Sequence, residues 1–209
     1  MSFQSNSSRP WLLALTLSLF LVVVIAWLSP LERTLGGNLR LVYLHGAWVW
    51  TGMLAFGAAS LAGLLALIFH RPWQHALSRS LGLSGMAFWL TYLPMSLLVM
   101  QLNWNGLYLD EPRWKVPFAF AVIGLLLQAG LWLIANRTLT SAANLIFGPV
   151  LLYNISRMES VLHPDSPVFS SPSGSIRGHF ILLVVVTSLL CGVITAWQMQ
   201  VIKRKESGC

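Results

Sequence analysis

The stretch "LVYLHGAWVWTGMLAFGAASLAGLLALIF", Leu41 to Phe69, decides the class of this protein. It contains no Asp, Glu, Lys or Arg, and its one histidine, His45, stands near the beginning. Crossing the hydrocarbon of a bilayer takes roughly 20 apolar residues in a helix, so this run is long enough to span and still tilt or project. The surrounding chain repeats the pattern. Apolar runs at Trp11 to Leu28, Leu81 to Leu102, Val116 to Ala135, Ala142 to Ile155 and Phe180 to Val201 bring the number of predicted spans to six. The fifth is the weakest, because it carries Asn144, Pro149 and Asn154. The first has too long an apolar core for a secretory signal, and "VVVIAWLSP" offers no small-x-small cleavage pattern, so it reads as an uncleaved span.

Composition agrees. Of 209 residues, 56% are hydrophobic and only 9% charged, against about 25% charged in a soluble domain. The net charge of +7 is scattered over short loops and one tail, which speaks against a nucleic-acid surface. Cys191 and Cys209 form no CxxC or CxxCH motif, so no thiol redox site, zinc site or covalent haem attachment is offered. The expectation is an all-α integral membrane protein, residues 1–209 forming one six-helix bundle.

With six spans, seven basic residues (Arg9, Arg71, Arg79, Arg137, Lys203, Arg204, Lys205) share the side of the termini and six (Arg33, Arg40, Arg113, Lys115, Arg157, Arg177) the other. The short basic segments "HRPWQHALSR" and "KRK" place both termini in the cytoplasm. His45 then lies at the outer end of the second span. The outer loop 101–115, "QLNWNGLYLDEPRWK", is aromatic and of mixed charge, and the outer loop 156–179 carries His163 and leads to His179. Ionisable groups at membrane depth are costly and mark candidate sites.

Ordinary explanations cover several of these residues. Trp48, Trp104, Tyr108 and Trp114 suit an interfacial aromatic belt. Asp110 and Glu111 suit surface pairs with Arg113 and Lys115, and His70 and His75 suit headgroup contact. Asn144 and Asn154 suit hydrogen bonds between helices. A sharper explanation joins them. His45 and His163, at the ends of different spans on one face, are placed to ligate one haem iron from opposite sides, with His179 an alternative second ligand. Trp104, Tyr108, Trp114 and Trp48 would supply the flat apolar floor, and Arg113 a bidentate partner for a propionate.

The order of these features resembles the haem-handling membrane proteins of cytochrome c assembly, most closely the six-span CcmC type. "YLHGAW" stands where that family has its histidine at the start of the second span, and "SVLHPDSPV" where it has its second histidine. "WNGLYLDEPR" pairs without a gap with the family's tryptophan-rich loop: Trp104 matches the first Trp, Tyr108 stands for a central Trp, Glu111 replaces Asp, and Arg113 matches Arg. Leu107 and Asp110 stand where the family has aromatics, and "HGA" replaces the usual "HVP", so the chain is a divergent match.

The resemblance implies a non-enzymatic protein of the bacterial inner membrane that binds haem b transiently and non-covalently at the outer face. It would hand haem to a periplasmic carrier or an apocytochrome, beside ABC-transporter subunits. No GxxxxGK[ST] loop is present, so any ATP-driven step belongs to a partner. Glu111 and Asp110 would position the loop or meet that partner. Two alternatives stand beside this reading: an accessory scaffold subunit that has lost haem, and a b-type electron-transfer subunit. The second usually needs histidines stacked inside the spans, and none lies deep here.

Overall fold

The structure is a computed structural model that describes residues 9–30, 36–159, 168–169 and 171–206. Among these it is all-helical: α1 (Arg9–Trp27), α2 (Leu39–Phe69), α3 (Pro72–Trp104), α4 (Pro112–Ile134), α5 (Arg137–Ser156) and α6 (Gly174–Glu206). All six are long and apolar enough to cross a membrane, the build of a multi-pass membrane protein. A helix satisfies its own backbone groups, which is what a segment surrounded by lipid requires.

α2 and α3 form an antiparallel central pair. Ser78 Oγ donates to Ala59 O at 2.9 Å near one end, and Trp48 Nε1 donates to Thr91 Oγ1 at 2.8 Å near the other. α5 and α6 both pack on α2 without meeting each other, α4 bridges α3 and α5, and α1 lies against α6 and the edge of α2. Two cores result. One joins Val22, Tyr43, Phe88, Phe180 and Leu183. The other joins Phe56, Met86, Trp89, Tyr92, Phe147 and Leu151.

Near the α2–α3 connection the bundle is fastened by polar groups. Asn144 Nδ2 donates to Ser78 O at 2.9 Å, its Oδ1 accepts from Gln128 Nε2 at 3.2 Å, and its backbone oxygen accepts from Ser60 Oγ at 2.7 Å. Four helices therefore meet at one residue, and its expected bonding across helices is observed. Asn154 differs: its amide donates to Val150 O of its own helix at 2.8 Å. His75 also departs from expectation. It is buried, with Nδ1 2.8 Å from Ser141 Oγ, rather than facing headgroups. α3 begins at Pro72, well before the expected Leu81, because the polar stretch between them turns inward, His75 onto α5 and Ser78 onto α2 and α5, instead of forming a loop. Small residues permit this closeness. A Cβ at Gly63 would lie 2.5 Å from Ser141 O, and one at Gly148 would strike Ser60 Oγ.

Candidate functional site

The site follows from a mismatch in helix length. α5 runs antiparallel to α2, with Gly63 beside Ser141 and Gly57 beside Leu152. α5 stops at Ser156, while α2 continues to Leu39. Roughly 20 Å of α2 therefore extends past the end of α5, at 1.5 Å per residue. The space left there is a cavity of about 1090 Å³, walled by α2, α3, the start of α4 and the end of α5, with Phe169 and, from α6, Phe180 adding to the lining. That is slightly above the roughly 300–1,000 Å³ usual for cofactor and ligand sites.

Four of the residues singled out by sequence line this one cavity: His45, Trp104, Glu111 and Arg113. Local chemistry explains their positions. α3 ends at Asn105, whose φ of 51° is left-handed, a conformation Asn tolerates better than most residues. The turn leaves Trp104, the last residue of α3, at the cavity wall. α4 starts with Pro112, which suits a first helical position. Glu111 immediately precedes it and is buried, only 4% exposed. Its carboxylate sits at the positive end of the α4 dipole, and Arg113 falls in the first turn of that helix. His45 is half-buried, its ring centroid 5.6 Å from that of Tyr92.

The other expected residues go elsewhere. Trp48 packs on the Phe88 ring at 4.6 Å. Trp114 is buried and stacks on Phe118 at 5.8 Å. Tyr108 is exposed, with its ring edge-on to Trp104 at 6.0 Å. None of these three lines the cavity, so the aromatic floor expected of four residues is represented there by Trp104 alone. His179 lies against Tyr43 at 5.9 Å and does not line the cavity either. His163 lies outside the described residues.

Asp110 and Glu111 are adjacent but play different parts. Asp110 is almost fully exposed and pairs with Lys115 at 2.6 Å. The hydrogen bond from Lys115, and then its charge, hold the Asp110 carboxyl below its usual pKa. This is the surface pairing expected from sequence, whereas Glu111 is drawn inward.

Sequence reasoning missed Tyr92, which lines the cavity although it is only 2% exposed. Its hydroxyl has no hydrogen-bond partner among the described residues. The available signal was a tyrosine in the middle of a span, where a buried hydroxyl needs a partner. Also missed was the α2 stripe Val42, Gly46, Val49, Met53, Gly57 and Leu61, spaced by three or four, which forms one long cavity wall.

Taken as a donor set, an imidazole, a guanidinium and an indole in a largely apolar chamber suit a flat apolar macrocycle bearing carboxylates. The residues present thus fit haem, with His45 the one histidine among the described residues that lines the cavity. No family model matches this chain, and no curated protein does.

Proposed function

We propose that this protein binds haem b non-covalently at the outer face of a bacterial inner membrane and hands it on for cytochrome c assembly. The observation that carries this reading is the gathering of His45, Trp104, Glu111 and Arg113 around one large cavity. His45 would ligate the iron, with His163 as the second ligand. Arg113 would hold a propionate through paired N–H donors, and Trp104 would cover one edge of the ring. Haem, when bound, is the cargo and supplies redox-active iron to the acceptor. The chain itself performs no covalent step: it binds, orients and shields.

Both termini lie in the cytoplasm in this reading, so the His45 end faces outward. The recipient is a periplasmic carrier or an apocytochrome, and energy comes from partner ABC-transporter subunits. A cavity walled partly by lipid-exposed residues suits transfer, because tuning of affinity acts mostly through dissociation. The deciding experiment is the visible absorption spectrum of the detergent-purified protein with added haem, compared with His45→Ala and His163→Ala. A Soret band with sharp reduced bands, weakened or shifted in both variants, is expected. A band indifferent to both substitutions would overturn the ligand assignment and leave the scaffold reading.

A further inference from the structure

The cavity is longer than a haem site requires. Its α2 wall runs from Val42 to Leu61, about 28 Å along the helix at 1.5 Å per residue. That nearly equals the hydrocarbon thickness of a bilayer, about 30 Å. Its character changes along the way. The end near His45 carries Glu111, Arg113, Tyr92 and Ser156, whereas the far arm is walled by Leu54, Gly57, Ala58, Leu61 and Leu152. Leu54, Leu61 and Leu152 are exposed, so the arm opens sideways where lipid chains lie.

We propose that, in the haem-free protein, this cavity holds one membrane phospholipid with a zwitterionic head. One acyl chain occupies the arm along α2, and the head sits at the His45 end. Three observations converge on that occupant. The cavity as a whole, at about 28 Å, is longer than the roughly 20 Å of one bilayer leaflet, and its far arm is walled purely by apolar residues. The head end presents a cation, Arg113, and a carboxylate, Glu111, matching a phosphate and an ammonium on one molecule. Beside His45, the buried Tyr92 hydroxyl has no partner among the described residues, and the ester carbonyl of a lipid would accept from it. The inference does not rest on the haem reading. Haem and the lipid head would contend for Arg113, which is why it concerns the haem-free state.

Gly57 provides a clean probe. A Cβ there meets only Leu152 Cδ1, at 3.9 Å, so a large side chain would enter the arm rather than collide with a helix. The experiment is native mass spectrometry of the full chain, purified in detergent and lipid-washed, from membranes rich in phosphatidylethanolamine. Wild type is expected to retain one phospholipid. Gly57→Trp should lower retention about tenfold or more, since excluding two or more methylenes from an apolar site has that effect. Leu133→Trp, on the exposed face of α4, should retain lipid as wild type does. Circular dichroism establishes folding, and should Gly57→Trp not fold, Tyr92→Phe carries the test with an expected several-fold loss.

Absence of a phospholipid adduct in wild type would overturn the proposal. So would equal retention in the cavity and surface variants, or a retained lipid with an uncharged or purely anionic head. Haem titration of the same variants keeps the two readings separable, because lipid is counted by mass and haem by its Soret band.

Discussion

The two ends of this bundle are built from the same central helix pair but differ in how α5 meets it. At the end near the α2–α3 connection, α5 lies against α2 closely enough that Gly63 and Gly148 have no room for a Cβ, and Asn144 ties four helices together. Toward the other end α5 stops at Ser156, and the α2 glycine next in line, Gly57, meets only the Leu152 side chain at an ordinary 3.9 Å, so it has room for a Cβ. One end is closed by packing and hydrogen bonds, and the other is left hollow. The contrast separates residues that hold the bundle together from residues free to serve a ligand, although both sets are polar or small residues inside apolar spans.

The sharpest way to break that comparison is to swap the effect of glycine replacement between the ends. Gly63→Leu should destabilise the bundle by about 3 kcal/mol or more, since its neighbour is the backbone oxygen of Ser141 and cannot move aside. Gly57→Leu should stay within about 0.5 kcal/mol of wild type. Reversible unfolding in mixed detergent micelles reads both, and equal losses would show that the cavity end is packed after all.

Next in size is Arg113→Ala. Losing a bidentate, charge-assisted contact should weaken haem binding roughly 10- to 100-fold in a spectroscopic titration, with stability nearly unchanged. Asn144→Ala should do the opposite. It is expected to cost about 1–2 kcal/mol of bundle stability, the range of interhelical hydrogen bonds in membranes, while leaving the haem titration where it was.

The six spans were legible because each apolar run is long and uninterrupted by charge. The start of α3 was not. Gln74, His75, Ser78 and Ser80 look like a polar loop until the neighbouring helices are seen to close over them, with Ser141 and Asn144 of α5 bonding to His75 and Ser78, and all four are buried. The site divides in the same way. His45, Trp104 and Arg113 were readable as ionisable and aromatic groups near span ends. The burial of Glu111, the cavity and the involvement of Tyr92 depend on where α5 ends relative to α2, and a span predicted from hydropathy alone carries no information about which neighbour it falls short of. The aromatic floor was only partly legible for a related reason: position near a span end or in the outer loop brings Trp48, Tyr108 and Trp114 close to the site but does not say which way each ring turns.

The smallest effect belongs to the exposed pair beside the site. The lowered pKa of Asp110 means that its contribution is present at neutral pH and is lost only as the pH falls below about 4, the ordinary carboxylate range, toward the lowered value. Because the pair is exposed, salt screens it. Melting curves of wild type and Asp110→Asn should superimpose at pH 7 in moderate salt. A clear difference would mean that the loop, like Glu111, is tied into the cavity wall.

α1 has only Val22 and Ala26 buried, and it packs mainly on α6, to which Trp11 donates a hydrogen bond at Gln200. A ribosome delivers α1 to the bilayer first and α6 last of the six. For most of synthesis α1 therefore waits in lipid without its main partner, and it must persist there as a solitary helix. Its sequence suits that wait: between Trp11 and Trp27 only Thr16 and Ser18 are polar, and the Ser18 hydroxyl is turned onto Ala14 O of its own helix. The late-arriving α6 then closes the assembly from the outside, with Thr187 reaching Thr51 and Thr195 reaching Ser84.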